Sequence, residues 1–302
     1  MHVEWTKNPF NARWLIRKRI KLFCGLSYDP IKYKQTFRDN WNNVASSYHA
    51  GWADVGKGPF RSTKELVKAA NIKRDDFVLD LACGTGAVAK EVSQFISPPG
   101  LLVGIDFAKG PLAIARSEIP NCHFVEMDAE HIGLKAKFDV ILCQYALMFF
   151  PEPEKVLSVL RSLLKREGRL AVAVHGPAAG VPYFSTIMEP VLEHIPDIRP
   201  AGAPNVHRFG REEDLERAIS AAGFSEIAIK KFVFEYEAGS FSDYWSDCMS
   251  TTAALIRSKM EAKGLQIVEK IRKEAEERSR KYADNGSIAF PWDVLVVTAV
   301  NR

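Results

Sequence analysis

Residues 78–86 of the chain read VLDLACGTG, and this stretch decides the fold class. An apolar run containing Asp80 is followed by Gly84 and Gly86, just before a segment with helical periodicity. Glycines in such a turn allow a tight bend and let a ligand approach the main chain closely. The stretch therefore predicts a strand, a glycine turn and a helix, with a ligand at the turn.

The alternation of strands and helices continues along the chain. The pattern predicts strands at 77–81, 101–105, 123–127, 138–143, 169–174, 227–236 and 294–300. Helices are predicted at 40–52, 60–72, 87–95, 112–117, 154–165 and 211–222, with a helical insertion at 242–282 before the last strand. Strands separated by helices indicate an α/β fold, a doubly wound, seven-stranded and mostly parallel Rossmann-like sheet.

Composition limits the classes of protein that fit. The 302 residues are 47% hydrophobic and 26% charged, as in an ordinary globular protein, and no apolar run reaches membrane-spanning length. The five cysteines form neither a CxxC pair nor a zinc-like cluster with histidine, so we expect free thiols, no metal and a cytoplasmic protein. Oligomeric state is not indicated.

The positive charge is concentrated at the start of the chain. Residues 1–23 hold six Lys/Arg against one acid, so the net charge of +4 does not indicate a uniformly basic, nucleic-acid-binding body. Residues 10–26 predict a basic amphipathic helix that either docks on its own domain or makes peripheral contact with an anionic membrane surface. We expect three segments: N-terminal helices (1–57), a ligand-binding core (58–177), and cap helices with the last two strands (178–302).

A dinucleotide-binding fold is the first alternative for the glycine turn. Gly84, Gly86 and Ala89 satisfy GxGxxA, and Asp106 follows Gly86 by 20 residues, where a ribose-binding acid is expected. Asp80 argues against it, because a carboxylate beside the turn would repel a pyrophosphate and would suit an ammonium group. Another acid, Asp128, ends the third strand. Each acid alone could be a helix cap or turn former, but together they favour a different ligand.

The segments VLDLACGTG, LLVGID, VEMDAE, FDVILCQYALMFFPEP and EGRLAVAV resemble, in order and spacing, the motifs of class I methyltransferases that use S-adenosyl-L-methionine (SAM). The resemblance covers about residues 40–177. It implies that Asp80, with the backbone of Ala82 and Gly84, receives the methionyl end of SAM. Gly86 would allow close approach, and Asp106 would accept the two ribose hydroxyls.

The same resemblance assigns the rest of the cofactor site. Phe107 would pack on the adenine, Asp128 would accept its exocyclic amine, and the Ala129 N–H would meet a ring nitrogen. Gln144, with the carbonyl of the preceding cysteine, would complete the methionyl pocket, and Tyr48 would close over the cofactor.

The sequence indicates the methyl acceptor less clearly than it indicates the cofactor. The sequence contains no [DN]PP[YF] motif, no Pro-Cys motif and no thiol cluster, which argues against amide or adenine amino groups, RNA pyrimidines and arsenic as acceptors. Later segments, VHRFGREEDLERAISAAGF, FEYEAGSFSDYW and AFPWDVLVVTAV, are more loosely similar to the ubiquinone/menaquinone biosynthesis methyltransferase-like group. That resemblance implies methyl transfer to a small lipophilic or aromatic acceptor, such as a quinone, phenol or lipid-like molecule, with release of S-adenosylhomocysteine.

An aromatic roof is predicted over this acceptor, with His175 and Tyr145 as the candidate catalytic residues. The other predicted roof residues are Tyr48, Trp52, Met148, Phe149, Tyr183, Phe184, Tyr244 and Trp245. Two other functions stay open on the sequence: a methyltransferase for RNA or protein, suggested by the basic N-terminus, and a non-catalytic SAM-binding protein, suggested by the weak acid–base signature.

Overall fold

The computed structural model of the protein describes residues 28–53 and 58–302. Its centre is one sheet with the strand order β3-β2-β1-β4-β5-β8-β6, in which β1 to β5 are parallel and β8 is antiparallel to both β5 and β6. The strands are β1 (Phe77–Leu81), β2 (Leu101–Asp106), β3 (His123–Glu126), β4 (Phe138–Gln144), β5 (Leu164–His175), β6 (Ser225–Gly239), β7 (Ala283–Asp284) and β8 (Ser287–Asn301). This confirms the predicted sheet, to which the two-residue β7 adds a short hairpin with β8.

Ten α-helices flank the sheet within these described ranges. They are α1 (Pro30–Trp52), α2 (Ser62–Ala70), α3 (Ala87–Val92), α4 (Lys109–Glu118), α5 (Pro153–Leu163), α6 (Pro182–His194), α7 (Glu212–Ala221), α8 (Phe241–Ser250), α9 (Ala254–Glu261) and α10 (Leu265–Ser279). Helix α1 packs on α4 and α8, and α6 packs on α10. The predicted insertion at 242–282 is therefore helical, as three separate helices.

Several helix boundaries differ from the sequence prediction, and two of these differences have a clear structural cause. Helix α1 begins ten residues before the predicted start, because the Asp29 carboxylate accepts the N–H groups of Ile31 and Lys32 and Pro30 occupies the first turn. Helix α5 ends at Leu163, two residues early, because the buried Leu164 already pairs with β4 as the first residue of β5. The outer strands β6 and β8 also extend beyond their predicted ends, since they pair along nearly their whole length.

The sheet topology places a ligand crevice between β1 and β4. These neighbouring strands are the point where the strand order reverses, and ligands of open α/β sheets bind at the carboxyl ends of the strands there. Directly after these two ends, Ala82 (φ 53°) and Tyr145 (φ 55°) hold left-handed backbone conformations that side-chain-bearing residues rarely adopt. Such strain is concentrated at functional sites.

The glycine turn after β1 yields a first testable prediction. At Gly86 (φ 92°) a Cβ would lie 2.5 Å from Ile119 Cδ1, whereas at Gly84 (φ 54°) a Cβ would meet open space. We expect Gly86→Ala to lower the free energy of unfolding by about 2–4 kcal/mol, from backbone strain plus overpacking. Gly84→Ala is expected to cost only about 1–2 kcal/mol. Urea denaturation measures both, and equal losses would contradict the packing argument.

Several sequence predictions concern regions outside the sheet. Residues 10–26 lie outside the described residues, so their contact with a membrane stays a prediction. The boundaries of the three segments and the cytoplasmic location also stay predictions. Across residues 28–53 and 58–302, no helix combines the length and apolarity that a bilayer crossing requires. Four cysteines there, Cys83, Cys122, Cys143 and Cys248, are free thiols as expected.

Candidate active site

Asp80 lies at the end of β1 with an unsatisfied oxygen. The residue is 1% exposed, and its Oδ2 is buried without a hydrogen-bond partner in the described part of the chain. Burial raises the pKa of Asp80 well above its ordinary value, the nearby charge of Asp106 raises it further, and the Ala89 N–H acts in the opposite direction. A buried carboxyl oxygen without a partner is costly, so this atom suits a ligand that brings a donor or a positive charge.

Asp106, at the end of β2, holds the glycine turn in place. Its Oδ2 accepts the N–H of Gly84 and its Oδ1 the N–H of Ala108, both at 2.9 Å. Burial raises the pKa of Asp106 to about 6, although these N–H groups and that of Phe107 lower it. A carboxylate oxygen can accept more than one hydrogen bond, so Asp106 keeps some acceptor capacity for a ligand.

Asp128, after β3, is bound to helix α1, here called the lid helix because it carries Tyr48, the residue predicted to close over the cofactor. Its Oδ2 accepts Lys34 Nζ and lies 3.1 Å from His131 Nδ1, while its Oδ1 accepts the Glu130 N–H at 3.0 Å. Burial alone would raise the pKa of Asp128, but these hydrogen bonds outweigh it and lower the pKa. Ala129, the next residue, is buried. The sequence prediction gave Asp128 to the adenine amine and did not include Lys34.

The contacts of Lys34 give a second prediction. Lys34 also donates to Glu130 Oε2 at 2.8 Å, and Glu130 is only 5% exposed. We expect Lys34→Met to lower the free energy of unfolding by about 2–4 kcal/mol, because a buried carboxylate loses its cation. Lys32→Met, at an exposed position of the same helix, is the matched control and should cost under about 0.5 kcal/mol. Equal effects of the two substitutions would show that the contacts of Lys34 with Asp128 and Glu130 do not stabilise the fold.

Gln144 and Tyr145, at the end of β4, are held by the start of α2. The Gln144 amide accepts Thr63 Oγ1 at 2.9 Å and donates to Ser62 Oγ at 2.8 Å. The Tyr145 hydroxyl lies 2.7 Å from Ser62 Oγ and donates to the carbonyl of Pro59 at 2.9 Å. Both side chains are therefore fixed beside the crevice by hydrogen bonds.

The structure brings many of the predicted roof aromatics together. Tyr48 stacks on Trp52 at 5.6 Å between ring centroids, and Trp52 meets Tyr183 edge-on at 5.6 Å. Tyr183 in turn contacts Phe184 and Tyr244. Two predicted members lie to either side: Phe149 packs on Phe37 of α1, and Trp245 packs on Phe241 within α8.

His175 ends β5 inside this aromatic cluster and is 4% exposed. Its ring stacks on Tyr145 at 4.1 Å, and its Nδ1 accepts the Trp292 indole N–H at 3.2 Å. Burial lowers the pKa of His175 well below its ordinary value. A neutral imidazole that accepts at Nδ1 carries its proton on Nε2. In this state His175 is a hydrogen-bond donor with its lone pair engaged.

Sequence reasoning missed Asp247 of α8. Its carboxylate accepts the Trp52 indole N–H at 3.0 and 3.1 Å, the Tyr183 hydroxyl at 2.7 Å and the Tyr236 hydroxyl at 3.4 Å. These donors come from α1, α6 and β6, so one side chain joins the lid helix, the cap and the sheet. An acid within a polar helix carries no local signal for this role. Among the residues described, no group of three or more His, Cys, Asp or Glu is arranged to hold a metal.

Comparison with known proteins identifies the family. Residues 72–201 match the model of a methyltransferase domain. Aklanonic acid methyltransferase of Streptomyces sp. (strain C5) is 30% identical over 181 residues, which are 54% of this chain and 81% of that protein. The chain belongs to the class I SAM-dependent methyltransferases. Its cofactor is therefore SAM, and both the dinucleotide and the non-catalytic alternatives are set aside.

A second curated relative and two solved structures are also similar to this methyltransferase. The ubiquinone/menaquinone biosynthesis C-methyltransferase of Wigglesworthia glossinidia brevipalpis is 29% identical over 157 residues, 49% of this chain and 63% of that protein. Among solved structures, a putative methyltransferase of Bacillus halodurans has a TM-score of 0.54 at 20% identity, covering 80% of this chain and 99% of that one. Magnesium protoporphyrin IX methyltransferase of Synechocystis has a TM-score of 0.53 at 17% identity, covering 89% and 100%. These two structures support the fold.

Proposed function

We propose that this methyltransferase transfers the methyl group of SAM to a small lipophilic or aromatic acceptor, releasing S-adenosylhomocysteine. The observation that carries the proposal is the cluster of aromatic rings over the carboxyl ends of β4 and β5, built from Tyr48, Trp52, Tyr145 and Phe184. Relatives named for aklanonic acid and for ubiquinone and menaquinone biosynthesis agree with a small acceptor. Aromatic walls with few polar groups are typical of pockets for such molecules.

The residues around the glycine turn fit SAM. Asp80 offers a buried oxygen without a partner, and Gly84 faces open space. We assign the methionyl end to Asp80, Ala82, Gly84, Gly86 and Gln144. The ribose is assigned to Asp106, the adenine to Phe107, Asp128 and Ala129, and the cover to Tyr48. SAM supplies a methyl group already activated by its sulfonium charge.

The chain contributes mainly placement and exclusion of water. The hydrogen bonds that fix Gln144 and Tyr145 keep the crevice wall rigid, and α1 covers it through Lys34 at one end and Trp52 at the other. Holding two reactants in line supplies several kcal/mol of the barrier reduction. His175 and Tyr145 remain the acceptor-side residues predicted from the sequence. Neutral His175 offers its Nε2 proton as a donor, whereas the Tyr145 hydroxyl donates to the carbonyl of Pro59.

Labelled methyl transfer tests the function directly. Host extract is incubated with the full-length protein and deuteromethyl SAM, and mass spectrometry searches the small molecules for a labelled product. We expect one small, organic-soluble product, absent with the Asp106→Ala variant.

Label found in RNA or protein alone would overturn the proposal. It would favour the alternative suggested by the basic residues 1–23. Deletion of residues 1–26 separates the two functions, because a small-molecule activity is expected to survive it.

A further inference from the structure

His207, in the loop between α6 and α7, has a buried ring nitrogen with no hydrogen-bond partner among the described residues. Its Nδ1 lies 2.8 Å from the carbonyl oxygen of Gly176. A carbonyl only accepts hydrogen bonds, so Nδ1 carries the proton and Nε2 keeps a free lone pair. That Nε2 is buried and has no hydrogen-bond partner within the described ranges. Its environment therefore lacks one hydrogen-bond donor.

The loop holds His207 against the acceptor side of the sheet. Gly210 packs so closely that a Cβ there would lie 2.6 Å from the Gly176 oxygen, directly beyond the end of β5. The His207 ring is 6.0 Å from Phe184, and Phe184 is 5.1 Å from His175. His207 therefore lies in one cluster of rings with Phe184 and His175, which we call the aromatic wall of the predicted acceptor pocket.

The two histidines of this wall, His175 and His207, carry their protons on opposite ring nitrogens. The Nδ1 of His175 accepts a hydrogen bond from Trp292, whereas the Nδ1 of His207 donates one to a backbone carbonyl. A backbone carbonyl on Nδ1 is the arrangement that presents Nε2 as a base. Burial lowers the pKa of His207, although the hydrogen bond to Gly176 raises it, so the ring is neutral near pH 7.

We propose that His207 is a catalytic residue, whose Nε2 accepts the proton of an acceptor hydroxyl as that oxygen takes the methyl group. This rests on the function proposed above and narrows the acceptor to a phenol or enol. The O–H bond breaks and its proton moves to Nε2, while the O–CH3 bond forms. The S–CH3 bond breaks with its electron pair retained by sulfur, and the imidazolium later returns its proton to water.

The charged groups facing His207 leave its lone pair available. His175 is neutral and buried. Behind Gly176, the Asp293 carboxylate is bound to Lys231 at 2.6 Å. The neighbouring Arg208 directs its guanidinium to the carbonyl of Phe150 at 3.0 Å. The donor for Nε2 is thus assigned to the acceptor molecule.

The discriminating variant is His207→Asn. Asparagine keeps an N–H for the Gly176 carbonyl but has no ring nitrogen in place of Nε2. His123→Asn, at an exposed position at the start of β3, is the matched control. The rate of label transfer from deuteromethyl SAM to the extract product is measured from pH 6 to 9, and SAM affinity by calorimetry.

We expect His207→Asn to lower the rate at pH 7 by about 100-fold or more with SAM affinity unchanged, since general bases contribute about 10²–10⁴-fold. The loss should shrink as pH rises, because the hydroxyl then ionises unaided, and the product should carry an O–CH3 group. A wild-type rate in His207→Asn, or a methyl group on carbon, sulfur or nitrogen, would overturn the proposal.

Nitrogen-15 NMR of the imidazoles tests His207 independently of turnover. The proposal expects a neutral ring protonated at Nδ1 at pH 7 in the full-length protein. Protonation at Nε2, or an imidazolium, would refute it. If the wild-type protein labels no small molecule, the proposed function fails, and the NMR result still decides for or against His207 as a base.

Discussion

Replacing Asp106 by alanine is expected to weaken SAM binding by at least about 100-fold. In the proposed assignment the two ribose hydroxyls of SAM lose a charged acceptor, and hydrogen bonds to charged groups contribute about 1.5–3 kcal/mol each. The substitution also removes the oxygens that hold the N–H groups of Gly84 and Ala108. Titration calorimetry with the exposed-site variant Asp284→Ala as control measures the change. Affinity within tenfold of wild type would contradict the assignment of Asp106 to the ribose.

The pH dependence of the same interaction provides a second readout. Burial raises the pKa of Asp106 from 3.8 to about 6 in the protein without ligand. Because the folded protein holds this proton more tightly than the unfolded chain, Asp106 stabilises the fold fully below about pH 4. That stabilisation is lost as pH rises through 6. In the proposed assignment the ribose hydroxyls bind the ionised carboxylate, so SAM affinity should increase between pH 5 and 7. Asp106→Asn should bind more weakly and lose this pH dependence.

Replacing Asp247 by alanine is expected to lower the free energy of unfolding by about 3–5 kcal/mol. The substitution leaves the Trp52 indole N–H and the Tyr183 hydroxyl without their acceptor among tightly packed rings, and each buried unsatisfied group costs about 1–3 kcal/mol. Urea denaturation followed by circular dichroism measures the loss.

Two variants calibrate that result by removing single donors. Trp52→Phe should cost about 1–3 kcal/mol, since it deletes one donor and leaves the carboxylate bound by Tyr183. Tyr236→Phe should cost less than about 1 kcal/mol, because its hydroxyl is 3.4 Å from the carboxylate. A loss below about 1 kcal/mol for Asp247→Ala would show that the carboxylate does not join α1, α6 and β6.

The positions of the acids and glycines at the strand ends could be predicted because their signals are local. Asp80, Gly84, Gly86, Asp106 and Asp128 occur at fixed offsets from apolar strands, and parallel strands bring their carboxyl ends to one edge. The start of α1 also had a local signal, Asp29 followed by proline, which lay outside the predicted helix. The boundary between α5 and β5 had none, because pairing with β4 determines it.

The acceptor half depends on residues far apart in the sequence. Trp292 reaches His175 from β8, and Asp247 collects donors from three elements. His207 stood in a segment that resembled a known group, yet its importance comes from a tautomer and an orphaned nitrogen. Such properties require the positions of neighbouring atoms and leave no periodic pattern.

The place of β8 between β5 and β6 has a consequence for the order of folding. In the cofactor half, β1 and β2 join positions as near as 77 and 101, whereas β5 and β8 join positions 168 and 301. Strands that are far apart in the sequence pair late, because the chain loses the entropy of closing a long loop before the new contacts stabilise it. The cofactor half is therefore expected to collapse first, and the wall that holds His175 and Trp292 to assemble last.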